Sequence, residues 1–230
     1  VSEFSKRDII NQYNIEGDKI DVVYNGANES FTPLSREEKE KTRKKYSEGK
    51  PYFVFVGALH PRKNIARLFQ AFDIFKQKDN NDVRLVVVGN KKWWTKDIQD
   101  TYSQMKNPDK VIFSGRLPAE ELHMVIGSAM ALAYVSYFEG FGIPILEAFY
   151  CDVPVITSNV TSMPEVAGDA ALLVDPFSIK SIANALEKMA ENESLRNELI
   201  IKGRDRGKLF NWQNTADNLW KSIEQVTKNN

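Results

Sequence analysis

From Pro51 to Val174 the chain repeats one device: a short apolar run, a turn, a helical pattern, then another apolar run. Parallel strands can be joined only through a crossover, so this alternation is the pattern of an open parallel sheet covered by helices on both faces. The runs occupy 52–56, 84–88, 111–113, 129–135, 153–157 and 170–174. They are rich in Val, Ile, Leu and aromatic residues and mostly continuous rather than alternating, which suits strands buried on both faces. The clearest helix is 64–78, where Ile65, Leu68, Phe69, Phe72 and Phe75 recur at three- and four-residue steps. Further helical stretches lie at 119–127, 179–190, 193–208 and 212–226. The expected fold class is α/β, a doubly wound parallel sheet.

Before Pro51 the pattern predicts a helix over 5–13, a strand over 20–24 and a turn at Asn25-Gly26-Ala27-Asn28. A helix over 35–46 follows, with Ser35 and Glu38 at capping-box spacing. Its run from Arg36 to Lys45 is densely charged, and reads either as a solvated face or as a basic patch touching anionic lipid. No repeat or Pro/Gly linker divides the chain, so one domain is expected.

Composition narrows the function. The 230 residues carry 31 Lys and Arg against 31 Asp and Glu, so no global charge draws the chain to nucleic acid. One cysteine and two histidines leave no internal disulfide and too few soft ligands for a structural zinc, so no metal site is expected. No apolar run approaches the ~20 residues that span a bilayer, and the opening residues lack a signal-peptide stretch. The reading is cytoplasmic, with peripheral contact at the membrane inner face left open. The chain begins at Val1 rather than Met, which fits either processing or a segment of something longer.

Ligands of a doubly wound sheet lie outside the carboxyl ends of its strands, so the loops at 57–64, 89–95, 114–118, 136–144, 158–164 and 175–178 hold the informative residues. The first, Gly57-Ala58-Leu59-His60-Pro61-Arg62-Lys63-Asn64, puts two adjacent cations where a strand hands over to a helix. Free backbone amides and the helix dipole make such a place an anion site, although a surface Arg-Lys pair has the same sequence. At an effective dielectric near 20, one cation ~4 Å from a phosphate charge interacts by about 4 kcal/mol before desolvation. The loop is no Walker A motif, since Arg62 replaces the Gly before Lys63 and no Ser or Thr follows.

The second loop carries Glu139 and, seven residues on, Glu147. Glu147, placed on the first turn of a helix opened by Pro144, reads as an acceptor for a vicinal diol such as a ribose, or as a complement to the helix dipole. Glu139, at the flexible strand-to-loop edge, reads as a partner for a sugar hydroxyl or developing positive charge, or as a solvated residue. Gly140 and Gly142 let backbone approach a ligand closely. Elsewhere, Trp93 and Trp94 read either as an exposed loop that meets a nucleotide, an acceptor or a membrane surface, or as a loop with one Trp packed beneath it. His60 reads as a phosphate contact or a turn residue, His123 as structural, and Cys151 as a small buried residue.

Taken together these segments form a recognisable set. Glu139–Glu147 has the E-G-F-G-x-P-x-L-E form of the E-x7-E motif and resembles the donor-binding domain of GT-B glycosyltransferases. The resemblance continues through G-A-L-H-P-R-K-N at 57–64, V-V-V-G-N at 86–90, F-S-G-R-L at 113–117, P-V-I-T-S at 154–158, M-P-E-V-A-G-D-A-A-L-L-V-D-P at 163–176 and F-N-W at 210–212. It covers nearly all of the chain and is nearest to mannosyltransferase-like members of glycosyltransferase family 4, with a Rossmann-like sheet forming one half of the GT-B fold.

The resemblance implies a site. Arg62 and Lys63 match the diphosphate-binding pair, Glu147 the ribose glutamate, and Glu139 the glutamate facing the donor sugar near its reacting carbon. The backbone of Gly140, Phe141, Gly142 and Ile143 would contact sugar hydroxyls and phosphate, and that of Arg116 and Leu117 would edge the base. Gly57 and Asn90, at the first two strand exits, count among the donor-binding residues. The family transfers sugar from a nucleotide donor with retention, without a catalytic metal or cofactor, the nucleotide sugar being a substrate. A hexosyl group from a GDP-mannose or UDP-hexose type donor would go to a glycan or lipid-linked acceptor in polysaccharide biosynthesis. Ala58 stands where many relatives have Arg, throwing phosphate charge onto Arg62 and Lys63, and Val135 where many have Pro.

The family pattern makes residues 1–230 a donor-binding domain, with 1–10 and 210–230 as boundary segments toward an amino-terminal acceptor domain that is not in this chain. The acceptor would be met through that domain, and this half alone is expected to be inactive. A second reading is a nucleotide-sugar binding or assembly module without turnover. A dinucleotide oxidoreductase shares the sheet class but needs a G-x-G-x-x-G after its first strand, which is missing here.

Overall fold

The apolar runs assemble as the strands of one sheet, because each can satisfy its backbone polar groups in the interior only by laddering with the next. The computed structural model describes residues 1–78 and 82–228. In chain order it contains α1 (Glu3–Tyr13), α2 (Arg36–Ser47), β1 (Tyr52–Val56), α3 (Ile65–Lys76), β2 (Arg84–Val88), α4 (Lys96–Ser103), β3 (Val111–Gly115) and α5 (Ala119–Gly127). There follow β4 (Ala131–Tyr134), α6 (Ile143–Tyr150), β5 (Val155–Ser158), α7 (Met163–Ala167), β6 (Ala171–Val174), α8 (Ile179–Glu191), α9 (Glu193–Gly207) and α10 (Trp212–Lys228).

The six strands lie in the order β3-β2-β1-β4-β5-β6 and every adjacent pair is parallel. The doubly wound expectation therefore holds. On β1 the side chains divide by the two-residue period: Tyr52, Val54 and Val56 join the core beneath α5 and α6, while Phe53 and Phe55 join the core beneath α3 and α8. All five are buried, which is why the run reads as continuous. The face of α3 formed by Ile65, Leu68, Phe69, Phe72 and Phe75 is buried as its spacing predicts. Where β1 and β2 end, their exits approach so closely that a Cβ on Gly89 would stand 1.8 Å from the Gly57 carbonyl oxygen.

The expected strand over 20–24 does not form. Gly17–Lys19 is a single 3-10 turn, and residues 20–24 pair with no strand among the described residues. The segment lies along α10 instead, where the Thr215 hydroxyl donates to the Tyr24 carbonyl at 2.7 Å and the Ser222 hydroxyl meets the Asp21 carboxylate. The α2 capping box is present, with Ser35 and Glu38 satisfying each other's amides. Arg36 pairs with Glu40 and Lys45 with Glu121 on its exposed surface, contacts that solvent screens and that add little to stability.

Along α10 the apolar residues Trp212, Leu219, Trp220, Ile223 and Val226 are exposed. Residues 229–230 of the expected 210–230 boundary segment lie outside the described residues. Among the described residues no helix is long and apolar enough to cross a membrane, and no group of three His, Cys, Asp or Glu side chains is placed to hold a metal ion.

Candidate functional site

Strand order reverses between β1 and β4, so the loops leaving these two strands face each other across a crevice at the carboxyl edge of the sheet. The β1 loop is shaped by its own residues. Gly57 takes φ 148°, Pro61–Lys63 form a 3-10 turn, and Asn64 is left-handed at φ 60°. His60 accepts the Arg62 amide on Nδ1 at 3.2 Å, so it caps this turn, with its ring 5.8 Å from that of Trp93. The Asn64 side-chain amide donates to the carbonyls of Val135 at 2.9 Å and Pro176 at 2.8 Å, which pins three strand exits together. The Tyr137 amide donates to the Arg62 carbonyl at 2.8 Å, completing the link to the β4 loop.

Between these loops sits one charge cluster. Lys63 Nζ is 2.6 Å from Glu139 Oε1 and Arg62 Nη1 is 2.8 Å from Glu139 Oε2, while Lys63 also donates to the Tyr134 hydroxyl at 2.6 Å. Arg62 adds a bond to the Phe138 carbonyl at 3.1 Å. Glu139 is 6% exposed and Lys63 8%. Burial works to raise the Glu139 carboxyl, but Lys63, Ser136 and Arg62 outweigh it and hold the group below the usual glutamate range. Burial pushes the Lys63 ammonium down, and Glu139 offsets only part of that. Tyr134 is driven well up by burial and by the neighbouring carboxylate.

This geometry corrects two expectations. Glu139 is neither at a flexible edge nor solvated: it is a buried counter-ion lying between Arg62 and Lys63. Two cations and one carboxylate leave the cluster one net positive charge. Glu147 is also placed differently, on the second turn of α6 rather than its first, and it joins no ion pair or hydrogen bond with another side chain among the described residues. It lines a cavity of about 500 Å³ with Gly26, Ala27, Asn28, Glu29, Ile143 and Trp212. Burial without a compensating partner pushes its carboxyl up to about 7.

The remaining expected residues are spread along the same sheet edge. Gly142, at φ 109°, caps α6, and the amides of Gly140, Phe141 and Gly142 meet no protein acceptor among the described residues. The Phe141 ring packs against Tyr24 and Phe210, leaving only its backbone for a ligand, and Ile143 is exposed beside the Glu147 cavity. Asn90 is exposed; its carboxamide oxygen accepts the Lys92 amide at 2.9 Å and its carbonyl the Leu59 amide at 3.2 Å. Arg116 is exposed just after Gly115, which takes φ 73°, and Leu117 packs on the core. Neither Asn90 nor Arg116 touches the charge cluster through its side chain.

Sequence reasoning missed Tyr134, whose only signal is a phenol closing a run of small aliphatic residues. The turn expected over 25–28 falls instead at residues 29–30, and sequence reasoning also missed the placement of Gly26–Glu29 and Trp212 around Glu147. Of the tryptophans, Trp94 packs on Phe69, Tyr102 and Phe113 while Trp93 is exposed. The His123 ring bonds the Thr32 backbone, a structural role, and Cys151 is fully buried, its thiol pushed up to about 12 mainly by burial.

Comparison with known proteins adds an independent finding. The family model described as glycosyl transferases group 1 matches residues 36–206. The chain is 32% identical over 215 residues to the O-antigen chain mannosyltransferase B of Escherichia coli, covering 93% of this chain and 56% of that one. It is 32% identical over 191 residues to the O-antigen chain mannosyltransferase RfbU of Salmonella typhimurium, covering 83% and 50%. The chain thus spans about half the length of these curated relatives. Among solved structures, a glycosyltransferase from Rickettsia africae superposes with a TM-score of 0.85 at 20% identity, covering 100% of this chain and 63% of that one. Anabaena Alr3699/HepE, solved in complex with UDP-glucose, superposes with a TM-score of 0.84 at 18% identity, covering 99% and 62%.

Proposed function

Because the chain belongs to the group 1 glycosyl transferases, with the α/β Rossmann-like sheet of a GT-B half, we propose that it is a donor-binding domain that holds a nucleotide-diphosphate sugar for hexosyl transfer. The observation that carries this reading is the closure of Arg62, Lys63 and Glu139 at the switch point, beside the unpartnered amides that open α6. A diphosphate entering there exchanges one set of anionic partners for another: it takes over Arg62 and Lys63, and the carboxylate of Glu139 is released toward the sugar. The cations then neutralise charge developing on the leaving diphosphate, and Glu139 steadies oxocarbenium-like charge at the reacting carbon. Glu147, half-buried and without a side-chain partner among the described residues, accepts the ribose hydroxyls.

In this reading the donor is of the GDP-mannose or UDP-hexose type, a substrate rather than a cofactor, and transfer proceeds with retention and without a metal. The mannosyltransferase relatives support the sugar class, and the HepE complex supports a nucleotide sugar on this fold. Backbone at Arg116 and Leu117 borders the base, and Gly57 and Asn90 shape the strand exits around the phosphates. Residues 1–230 form the donor domain, with 1–10 and 210–230 facing an acceptor domain that would bring the glycan or lipid-linked acceptor. A cytoplasmic setting, with α2 as the peripheral membrane contact, belongs to the same proposal.

Isothermal titration of the chain with GDP, UDP and ADP tests it. One of the three should bind, and Lys63→Ala and Glu147→Ala should each weaken binding; absence of binding, or affinities untouched by both variants, refutes the reading. A module that binds without turnover is the second reading, favoured by the half-length match to the relatives. Sugar transfer by the chain alone rejects it.

A further inference from the structure

The loop from Glu139 to Gly142 is held by three serines that no motif includes. Ser162 Oγ lies 2.8 Å from the Glu139 carbonyl and 3.0 Å from the Phe141 carbonyl, and is fully buried. The carbonyl between them, that of Gly140, takes the Ser2 hydroxyl at 2.6 Å and has the Ser5 hydroxyl at 3.1 Å. Ser2 is also fully buried and accepts the Ser5 amide at 3.0 Å as the N-cap of α1. Two further contacts seat α1 here: the Glu165 carboxylate of α7 accepts the amides of Glu3 at 2.7 Å and Phe4 at 3.0 Å, and the Phe4 ring meets that of Phe138 edge-on at 5.5 Å.

A peptide unit is planar, so fixing a carbonyl oxygen fixes the amide on the other side of the same plane. Ser162 thereby sets the amides of Gly140 and Gly142, and Ser2 with Ser5 sets that of Phe141. These are the three amides left without a protein acceptor. We propose that Ser2, Ser5 and Ser162 are positioning residues of the donor loop, orienting its backbone amides for an anionic ligand and holding Glu139 between Arg62 and Lys63. The assignment rests on the donor-binding reading. It makes residues 1–10, expected as a boundary segment, part of the scaffold of that loop, so displacement of α1 loosens the site directly.

The test compares the whole chain with Ser2→Ala/Ser5→Ala, with Ser162→Ala and with the conservative Ser2→Thr and Ser162→Thr. Three quantities are read: the 15N–1H shifts and hydrogen exchange of the amides of Gly140, Phe141 and Gly142, the affinity for UDP and GDP, and the unfolding midpoint. The double variant should move the Phe141 amide, and Ser162→Ala those of Gly140 and Gly142. Each alanine variant should weaken nucleoside diphosphate binding about tenfold, the scale of one or two net hydrogen bonds. Both Thr variants, which keep the hydroxyl, should restore it. If the double variant does not fold, Ser162→Ala and its Thr counterpart decide. Alanine variants that bind within twofold of wild type with these amides unmoved overturn the positioning role and leave the donor reading standing. If wild type binds neither nucleotide, the donor reading fails, and the amide shifts alone still decide whether the serines set the loop.

Discussion

Replacing Glu139 by Gln removes one negative charge and little volume, and its cost can be worked from the cluster. Lys63 keeps an amide oxygen near its 2.6 Å partner position and the Tyr134 hydroxyl, but its buried ammonium loses its counter-ion. Removing one member of a buried pair costs about 3–5 kcal/mol, and the Arg62 contact, half-exposed on the Arg side, adds ~1 kcal/mol at most. Because Gln still accepts a hydrogen bond, about 3 kcal/mol is expected, or a fall of ~6–12 °C in unfolding midpoint for a chain of this size. The pH dependence gives the sharper signature. The Glu139 carboxyl sits below its ordinary value in the folded state, so its contribution is full above the unfolded glutamate pKa and disappears as pH falls through the lowered folded one. The folded Lys63 ammonium is already pushed down by burial, and further so in the variant. The penalty of burying it unpaired is therefore present at neutral pH and relieved as pH rises through that lowered value. Urea unfolding of both chains from pH 3 to pH 10 should show a gap that peaks near neutrality and closes on both sides. A gap below ~1 kcal/mol at pH 7, or one flat across the range, refutes the assignment of Glu139 as a buried counter-ion.

Glu147 should behave in the opposite sense. Its folded carboxyl is raised to about 7, so wild type loses stability relative to Glu147→Gln as pH climbs from the unfolded glutamate value through 7, by up to ~3 kcal/mol, and levels off above; a carboxyl 13C titration near 4 would contradict this. Gly89→Ala puts a Cβ 1.8 Å from the Gly57 carbonyl oxygen, backbone against backbone, and should lower the unfolding midpoint by more than 6 °C or abolish folding.

How far the fold was legible follows from what each signal reports. The runs at 52–56 and 84–88 match β1 and β2 residue for residue, since both are fully buried and stop at the glycines Gly57 and Gly89. The runs at 129–135 and 153–157 overshoot because Ala129, Val135 and Val153 are buried without belonging to a strand. Apolar patterning reports burial, not ladder pairing. The same confusion produced the strand at 20–24, whose backbone is engaged by α10 side chains distant in sequence. At the site, Arg62, Lys63, Glu139 and Glu147 were all visible as candidates for one site, but the pairing of Glu139 with both cations was not. Arg62 and Glu139 are 77 residues apart and meet only because the chain order places β4 beside β1. Ser162 lay inside the 158–164 loop expected to hold informative residues, but nothing singled it out there, and nothing in the sequence ties Ser2 to a loop 138 residues away.

The grouping changes what the neutral composition means. A crevice with two free cations would attract any small anion and would pay self-repulsion when empty. With Glu139 closing both contacts, the empty site keeps one net positive charge instead of two, and an anion must compete with a carboxylate whose backbone Ser162 holds, with Ser2 on the next carbonyl. A lone phosphate displaces that carboxylate at the cost of leaving it buried and unpaired. A donor that also presents a sugar with hydroxyls, or developing positive charge, re-satisfies Glu139 in the same event. Discrimination then comes from the exchange of partners rather than from net attraction, and it is greatest at the moment charge separates between the sugar and the diphosphate. In the proposed donor-binding reading, the buried ion pair is the resting form of the catalytic arrangement, and its desolvation cost would favour a ligand that supplies both an anionic diphosphate and a sugar on which positive charge develops.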